Sequence, residues 1–276
     1  MRAAVLGAPI AHSLSPVLHN AGYAALGLDG WHYERFELQA ADLPGFLAGL
    51  DDEWRGLSLT MPLKEACLEV AAESTAVARR AGAGNTLVRR PDGSWLADNT
   101  DVPGLVDALR PAWHPDWRRA AVLGAGATAR SALLGLAELG VLDVDVYARD
   151  PAKARALAHW APTGVTITAR PLGEWASGDQ PVVLSTLPGG AADGLELPGP
   201  RSGLLFDAVY AGWPTPLAQR AGAAGMAVVG GLDLLVHQAA RQFALFTGRD
   251  APLEAMFAAG RSALLEPVET AGPDRP

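Results

Sequence analysis

The sequence has only one cysteine among its 276 residues, Cys67. A single thiol cannot form a disulfide within the chain, and it cannot build a cysteine zinc site. No apolar run approaches the roughly 20 residues that a membrane-spanning helix needs. The apolar stretch at the start, Ala3–Leu6, is too short for a signal peptide and ends at Gly7. We therefore expect a soluble, cytoplasmic protein with no membrane partner.

Cations are also scarce. The chain has 22 Lys and Arg against 30 Asp and Glu, which gives a net charge of −8. Binding to nucleic acid or to an anionic membrane surface needs clustered cations, so neither partner is expected. Only two of the basic residues are lysines, Lys64 and Lys153, and asparagine occurs only at positions 20, 85 and 99. In a composition dominated by Ala, Gly and Arg, a rare lysine or asparagine is a candidate for a chemical role, which singles out Lys64, Asn85 and Asn99.

The material for a packed core is ample. Apolar residues make up 49% of the sequence and charged residues 19%, and the length suits two domains. Strands that alternate with helices in the first hundred residues favour an α/β layer on a mostly parallel sheet. A stretch rich in Pro, Trp and Arg at 111–119 breaks this rhythm, and we place the domain junction near Val102. Beyond it, a β-α-β-α pattern predicts a doubly wound sheet, followed by two helices over 232–246 and 252–265.

Local signals predict how several helices begin. Ser15-Pro16 is typical of a helix with serine at the N-cap and proline at the first helical position. Asp42 is expected to cap a short helix over 42–50. Pro62 is expected to open a longer helix that runs to Arg80 and ends on one of the glycines that follow.

A glycine loop stands between an apolar strand and a helix. The segment Gly124-Ala125-Gly126, with Ala129 at the third position of the pattern, predicts a dinucleotide site in this strand-loop-helix context. Glycines let the backbone approach a pyrophosphate, and the helix N-terminus offers free N–H groups. A tight turn that binds nothing is the alternative.

The end of the next strand bears on the choice of cofactor. The strand is followed by Ala148-Arg149-Asp150, and a cation at this place suits the 2′-phosphate of NADP. Arg130 and Lys153 are plausible helpers. Asp150 is expected to cap the helix that starts at Pro151, although it could instead face a ribose hydroxyl. A solvated surface arginine is the alternative interpretation of Arg149.

Polar residues of the first part suggest a second site. Ser13 and Ser15 flank a helix start, where a substrate carboxylate could bind, although Ser15 could simply cap the helix. Lys64 is placed in the first turn of its helix, where a cation opposes the helix dipole. A lysine held between a helix N-terminus and a carboxylate can exchange protons, whereas a solvated lysine is the alternative. Asn85-Thr86 and Asp98-Asn99-Thr100-Asp101 fit either a site or ordinary turn and cap chemistry. No histidine cluster has metal-ligand spacing, so no metal is expected.

Seven short motifs then occur in order along most of the chain, from about Gly7 to about Phe246. They are Gly7-Ala8-Pro9-Ile10-Ala11-His12-Ser13-Leu14-Ser15-Pro16, Thr60-x-Pro62-x-Lys64-Glu65, Gly82-Ala83-Gly84-Asn85-Thr86, Asp98-Asn99-Thr100-Asp101, Gly124-Ala125-Gly126, Asp207-x-x-Tyr210 with Thr215-Pro216-Leu217, and Gly231-Leu232-Asp233-Leu234-Leu235-Val236-His237-Gln238. With these motifs the chain resembles the shikimate dehydrogenases of the shorter, single-function bacterial type.

The resemblance implies an architecture and a reaction. Two α/β domains would flank a cleft, with a substrate domain over 1–101 completed by 232–265, a Rossmann-like NADP-binding domain over 102–231, and a disordered tail over 266–276. The implied activity is the NADP-dependent interconversion of 3-dehydroshikimate and shikimate, in the chorismate route to aromatic amino acids. We expect a monomer or a homodimer.

The resemblance also implies roles for individual residues. Lys64 and Asp101 would form the catalytic pair. The substrate carboxylate would be held by Ser13, Ser15 and Tyr210, and the ring hydroxyls by Thr60, Asn85 and Gln238. The cofactor would be bound by Gly124, Gly126, Ala127, Arg130, Arg149, Lys153 and Gly231.

Two departures from the family pattern and two rival functions stay open. Ser58 stands where the family usually has asparagine, so we expect the substrate contact there to differ. Asp150 stands where the family usually has threonine, so we expect a less strict preference for NADP. One rival is a quinate/shikimate dehydrogenase that uses NAD, against which Ser13, Ser15 and Arg149 argue. The other is a non-catalytic dinucleotide sensor, which would be expected to have lost one member of the Lys64–Asp101 pair.

Overall fold

The computed structural model describes residues 1–177, 179–197 and 202–265, which form two six-stranded sheets with helices packed on them. The tail predicted over 266–276 lies outside the described residues. No helix in the described ranges is both long enough and apolar enough to cross a membrane.

The first sheet is built by the first hundred residues. Its strands are β1 (Arg2–Gly7), β2 (His32–Glu37), β3 (Trp54–Leu59), β4 (Glu73–Ser74), β5 (Thr86–Arg89) and β6 (Trp95–Asp98). They lie in the order β2-β1-β3-β5-β6-β4. Only β5 runs against the others, because it pairs antiparallel with both β3 and β6. The mostly parallel sheet that the sequence predicts is confirmed.

Four helices accompany this sheet: α1 (Ser15–Ala25), α2 (Leu43–Ala48), α3 (Ala66–Val70) and α4 (Ala76–Ala81). The single helix expected from Pro62 to Arg80 is wrong. The chain is extended at Ala71, and the two residues of β4 pair with β6, which separates α3 from α4. Pairing with residues 23 positions further along the chain outweighs the local helical pattern. The helix does end on a glycine, since Gly82 has a left-handed φ of 58°.

Neither of two predicted capping side chains bonds to its helix. The cap predicted at Ser15 is wrong, because Ser15 is the first residue of α1 and the preceding Leu14 takes the N-cap position without any side-chain bond. Asp42 does take the N-cap position of α2, but its side chain makes no capping hydrogen bond. The hydroxyl of Ser15 is therefore not used by the helix and is available to the cleft described below.

The second sheet is entirely parallel. Its strands are β7 (Arg119–Leu123), β8 (Asp143–Ala148), β9 (Thr166–Pro171), β10 (Val182–Ser185), β11 (Leu204–Asp207) and β12 (Ala227–Gly230). The order β9-β8-β7-β10-β11-β12 reverses direction between β7 and β10, as in a doubly wound sheet. Its helices are α5 (Asp101–Leu109), which leads into the sheet, α6 (Ala127–Glu138), α7 (Pro151–Leu157) and α8 (Pro216–Ala223). The predicted doubly wound fold is confirmed.

The last two helices, α9 (Gly231–Thr247) and α10 (Leu253–Leu265), return to the first sheet. The ring of Phe246 lies so close over Gly56 of β3 that a Cβ at Gly56 would be 2.0 Å from it. Phe243 of α9 lies similarly close to Gly22 of α1, where a Cβ would be 2.9 Å from its ring, and Met256 of α10 makes an ordinary contact at the same glycine. Helix α9 also packs on α5, so it joins both halves of the molecule. The exact domain boundaries stay a prediction.

An aromatic layer between α1, the first sheet and α9 encloses a histidine. His19 is completely buried and stacks on Tyr33, with ring centroids 4.0 Å apart and planes within 8°. Burial lowers the pKa of His19 to about 3, although the nearby Gln242 opposes the shift slightly. Neither ring nitrogen makes a hydrogen bond of normal geometry within the part of the chain that the structure describes. His19 is therefore neutral in the folded protein.

This burial predicts acid sensitivity. The unfolded chain protonates His19 below about pH 6.5, whereas the folded protein does not until about pH 3. The unfolded state binds more protons in that window, so stability is lost as the pH falls through it. We expect His19→Phe to remove roughly 2–3 kcal/mol of the loss in unfolding free energy between pH 6.5 and 4.5. Urea unfolding at both pH values measures this, and the same substitution at exposed His32 is the control. Equal pH dependence in wild type and His19→Phe would contradict the assignment.

Candidate active site

A cleft of about 320 Å³ opens where the carboxyl ends of the two sheets face each other. It is lined by every residue that the sequence places in catalysis or substrate binding, which are Ser13, Ser15, Thr60, Lys64, Asn85, Asp101, Tyr210 and Gln238. These residues come from both ends of the chain, and the fold brings all of them to one surface.

The cleft contains an ion pair between two distant segments. Lys64 Nζ donates to Asp101 Oδ2 over 2.6 Å, and only 18% of the lysine side chain and 9% of the aspartate side chain are exposed. Asp101 is the first residue of α5. Lys64 lies in the turn before α3, so the position predicted for it in the first turn of a helix is wrong. Its carbonyl accepts a 2.7 Å hydrogen bond from Gly84 N–H, which fixes the turn.

Asn85 holds the other oxygen of the same carboxylate. Its Nδ2 donates to Asp101 Oδ1 over 2.9 Å, and its Oδ1 accepts from Thr100 N–H over 2.8 Å. Asn99, by contrast, serves the backbone: it donates to Ala83 O over 2.9 Å and accepts from Val102 N–H over 3.2 Å. Within the 98–101 segment, Asn99 thus shapes the turn, whereas Asp101 lines the cleft and its functional role stays a prediction.

Three hydroxyls lie together in the cleft wall, those of Ser13, Ser15 and Tyr210. Tyr210 stands on the loop after β11. The buried carboxylate of Asp207 organises this loop, because it accepts from Val209 N–H over 3.2 Å and from the Thr215 hydroxyl over 2.8 Å. Burial raises the pKa of Tyr210, so its hydroxyl keeps its proton and can donate to an anion.

Gln238 connects this cleft to α9. Its Nε2 donates to Leu235 O over 2.8 Å, and its Oε1 accepts from Asn85 Nδ2 over 3.3 Å. Thr60 follows β3 directly and shares the wall with Lys64.

Sequence reasoning missed one polar residue of the cleft and left another undecided. Gln242 is buried beneath it and accepts from the Ser58 hydroxyl over 2.7 Å. The position of Gln242 one helical turn after Gln238 is a signal that could have found it. Ser58 accepts in turn from the Tyr33 hydroxyl over 2.5 Å. Since the only proton of Ser58 goes to Gln242, Ser58 cannot also donate to a substrate in this arrangement.

The glycine loop has the shape that a dinucleotide needs. Gly124 has a φ of 112°, and a Cβ there would lie 2.4 Å from Thr186 Oγ1, so the protein itself requires glycine. Gly126 is different, because its φ is −93° and a Cβ there would meet nothing within 4 Å. Nothing in the described protein requires glycine at 126, and open space stands over it at the N-terminus of α6. A pyrophosphate that approaches the backbone accounts for this glycine, so the loop fits NADP.

The other predicted cofactor residues lie in α6, beyond β8 and at the end of β12. Ala127 is the first residue of α6, and Gly231, which lines the cleft, begins α9. Arg149 and Lys153 are exposed beyond the end of β8.

Asp150 caps α7, because its side chain accepts from Ala152 N–H over 2.9 Å. The predicted cap is confirmed. Arg130 donates to Glu65 and stacks on Trp160, 5.2 Å from the ring centroid. These contacts tie α6 to the segment beside Lys64, while a cofactor role for Arg130 stays a prediction.

A doubly wound sheet whose glycine loop meets a cleft with a lysine–carboxylate pair defines an oxidoreductase that uses a nicotinamide dinucleotide. Two family models match the chain: the shikimate dehydrogenase substrate binding domain over residues 5–87, and the shikimate 5′-dehydrogenase C-terminal domain over residues 231–259. The NADP(+)-dependent shikimate dehydrogenase of Methylobacterium radiotolerans is 38% identical over 270 residues, which cover 90% of this chain and 91% of the relative.

Solved structures agree. The shikimate dehydrogenase of Mycobacterium tuberculosis is 46% identical, with a TM-score of 0.84 over 95% of this chain and 99% of that one. The Thermus thermophilus enzyme, solved in complex with NADP(H) and shikimate, is 35% identical, with a TM-score of 0.84 over 96% of this chain and all of that one. The chain belongs to the shikimate dehydrogenase family.

Proposed function

We propose that this chain catalyses the reversible reduction of 3-dehydroshikimate to shikimate with NADPH, in the chorismate route to the aromatic amino acids. It is an oxidoreductase that acts on a CH–OH group. The observation that carries the proposal is the Lys64–Asp101 ion pair, placed in a cleft that is also lined by Thr128, in the first turn of the helix that follows the glycine loop. A cytoplasmic location and a monomeric or homodimeric state stay predictions.

The catalytic pair acts on the ring carbonyl at C3. When bound, NADPH supplies the hydride that reduces this carbon. Negative charge then develops on the carbonyl oxygen, which the Lys64 ammonium stabilises and protonates. Asp101 holds one of the three Nζ protons and so leaves two to face the substrate. In the reverse direction Lys64 takes the proton from the shikimate hydroxyl.

The rest of the cleft orients the ring. The Ser13, Ser15 and Tyr210 hydroxyls would bind the carboxylate, as charge-assisted hydrogen bonds are stronger than neutral ones. Thr60, Asn85 and Gln238 would bind the ring hydroxyls around the catalytic pair. The presence of both Lys64 and Asp101 favours an enzyme over a non-catalytic dinucleotide sensor.

The substrate and cofactor are tested together. We expect purified protein to oxidise shikimate with NADP far faster than quinate with either cofactor or shikimate with NAD, as followed by absorbance at the nicotinamide band. Faster turnover of quinate with NAD would support the rival dehydrogenase. Binding of dinucleotide without any turnover of shikimate would support the sensor.

The catalytic pair is tested by substitution. We expect Lys64→Ala and Asp101→Asn each to lower turnover by about 10²–10⁴-fold, because general acid–base assistance typically contributes that much. NADP affinity, measured by fluorescence titration, should stay near the wild-type value. Because the residues act as a unit, the double variant should lose much less than the product of the single losses.

The exposed Glu69 of α3 gives a matched control, and Glu69→Ala should leave turnover unchanged. Lys64→Ala with more than about a tenth of wild-type turnover would refute the role of Lys64.

The cofactor preference is tested at the end of β8. We expect Arg149→Ala to weaken NADP binding roughly 10- to 150-fold, since a hydrogen bond to a charged group contributes about 1.5–3 kcal/mol. NAD lacks the 2′-phosphate and should bind as before. Asp150→Ser keeps a capping oxygen on α7 but removes a negative charge, so it should strengthen NADP binding.

Exposed Arg118 is the control, because it precedes the amino end of β7 whereas Arg149 follows the carboxyl end of β8. Arg118→Ala should change neither affinity. Equal losses of NADP and NAD binding in Arg149→Ala would show that Arg149 has a structural role only.

A further inference from the structure

The amide of Asn85 can face Asp101 in only one orientation. Its Oδ1 lies 2.8 Å from the backbone N–H of Thr100, a group that only donates. The Nδ2 group must then be the one that meets Asp101 Oδ1 at 2.9 Å. A rotated amide would place two donors together at Thr100 and two acceptors together at Asp101.

A second donor enforces the same orientation. The Thr86 hydroxyl donates its only proton to Asn85 Oδ1 over 2.8 Å and accepts from Gln242 Nε2 over 3.0 Å. Thr86 is completely buried and does not line the cleft. A longer contact of 3.4 Å joins its hydroxyl to that of Thr100, which also bonds to the Asn85 amide. The shorter contacts of the Thr86 hydroxyl are those with Asn85 and Gln242, and both of these residues line the cleft.

The bond between Thr86 and Gln242 can run in only one direction, from the Gln242 amide to the Thr86 hydroxyl. Gln242 Nε2 also donates to the backbone carbonyl of Asn85 over 3.1 Å, and Gln242 Oε1 accepts from Ser58. Since Gln242 cannot offer an acceptor to Thr86 in this arrangement, the Thr86 proton is free to point at Asn85. The hydrogen bonds therefore form a chain in which each residue donates to the next. The chain starts at Tyr33, passes through Ser58, Gln242, Thr86 and Asn85, and ends at the Asp101 carboxylate that holds Lys64.

We infer that Thr86 is a positioning residue: its buried hydroxyl locks the Asn85 amide so that Asp101 is held in place to orient Lys64. The inference rests on the proposed function of the Lys64–Asp101 pair. If the role of Thr86 were purely structural, replacing it would change the stability of the protein but not the turnover of the folded enzyme or its pH profile.

Thr86→Val keeps the shape of the side chain and removes the hydroxyl, whereas Thr86→Ser keeps the hydroxyl. We expect Thr86→Val to lower turnover about 5- to 30-fold, the equivalent of one lost hydrogen bond in a buried network. The KM for shikimate should change less than turnover, and NADP affinity should not change. The limb of the turnover–pH profile that belongs to the catalytic pair should shift. Thr86→Ser should restore at least half of the wild-type turnover.

Thr247→Val is the matched control, because the Thr247 hydroxyl bonds only to backbone near the far end of α9, over 2.8 Å to Phe243 O. It should keep wild-type turnover and pH profile. Thermal unfolding of all variants shows whether each one is folded at the assay temperature. The inference would be overturned if folded Thr86→Val kept the turnover and pH profile of the wild type. It would also be overturned if Thr86→Ser lost as much turnover as Thr86→Val.

These outcomes separate the inference from the proposed function. Wild-type protein without shikimate dehydrogenase activity would refute the function. Active wild type together with an unaffected Thr86→Val would refute only the role of Thr86. A crystal structure of Thr86→Val gives a readout that needs no activity: it should show the Asn85 amide displaced from Asp101, and an unmoved amide would count against the inference.

Discussion

A charged pair that is mostly removed from water is costly to form, and the ion pair between Lys64 and Asp101 is stable only because its surroundings compensate for it. Desolvation costs several kcal/mol for each ion unless further hydrogen bonds satisfy both groups. Asn85 supplies one of these bonds to the carboxylate, and the glycine turn beside it fixes the backbone of the lysine. The strands and turns that carry these three residues must therefore fold together before the site exists. The geometry of the ion pair thus depends on the fold of the first sheet.

Helix α9 extends this coupling across the molecule. It begins at Gly231, next to the sheet that carries the glycine loop, and it ends where Phe246 packs on Gly56 of the other sheet. Between these points Gln238 and Gln242 face the cleft. Helix α9 thus bridges the two sheets and also contributes two side chains to the site. A shift of either sheet along α9 would change the cleft directly.

Local patterns predicted some elements correctly but not others, and only the family motifs pointed to the distant residues that meet in the cleft. The caps expected from Ser15 and Asp42 rest on local pattern alone, yet neither side chain bonds to its helix. The strand, glycine loop and helix around Gly124 follow from local periodicity, and Asp150 caps its helix because an Asp-Pro pair needs no tertiary partner. The helix expected over 62–80 failed because a two-residue strand within it pairs with β6. The orientation of Asn85 depends on Thr86 and Gln242, whose donors and acceptors are defined only once three separate segments meet.

The open space over Gly126 implies a conflict between stability and function. This glycine is the N-cap of α6, makes no side-chain cap and has a φ that any residue can adopt. A serine at this position could cap the helix and would reduce the freedom of the unfolded chain, which together stabilise a protein by up to about 1 kcal/mol. The same side chain would occupy the volume that a bound pyrophosphate needs. Variants of this protein selected for heat resistance alone would therefore accumulate substitutions that fill this space. Such variants would lose affinity for the cofactor unless the cofactor were present during selection.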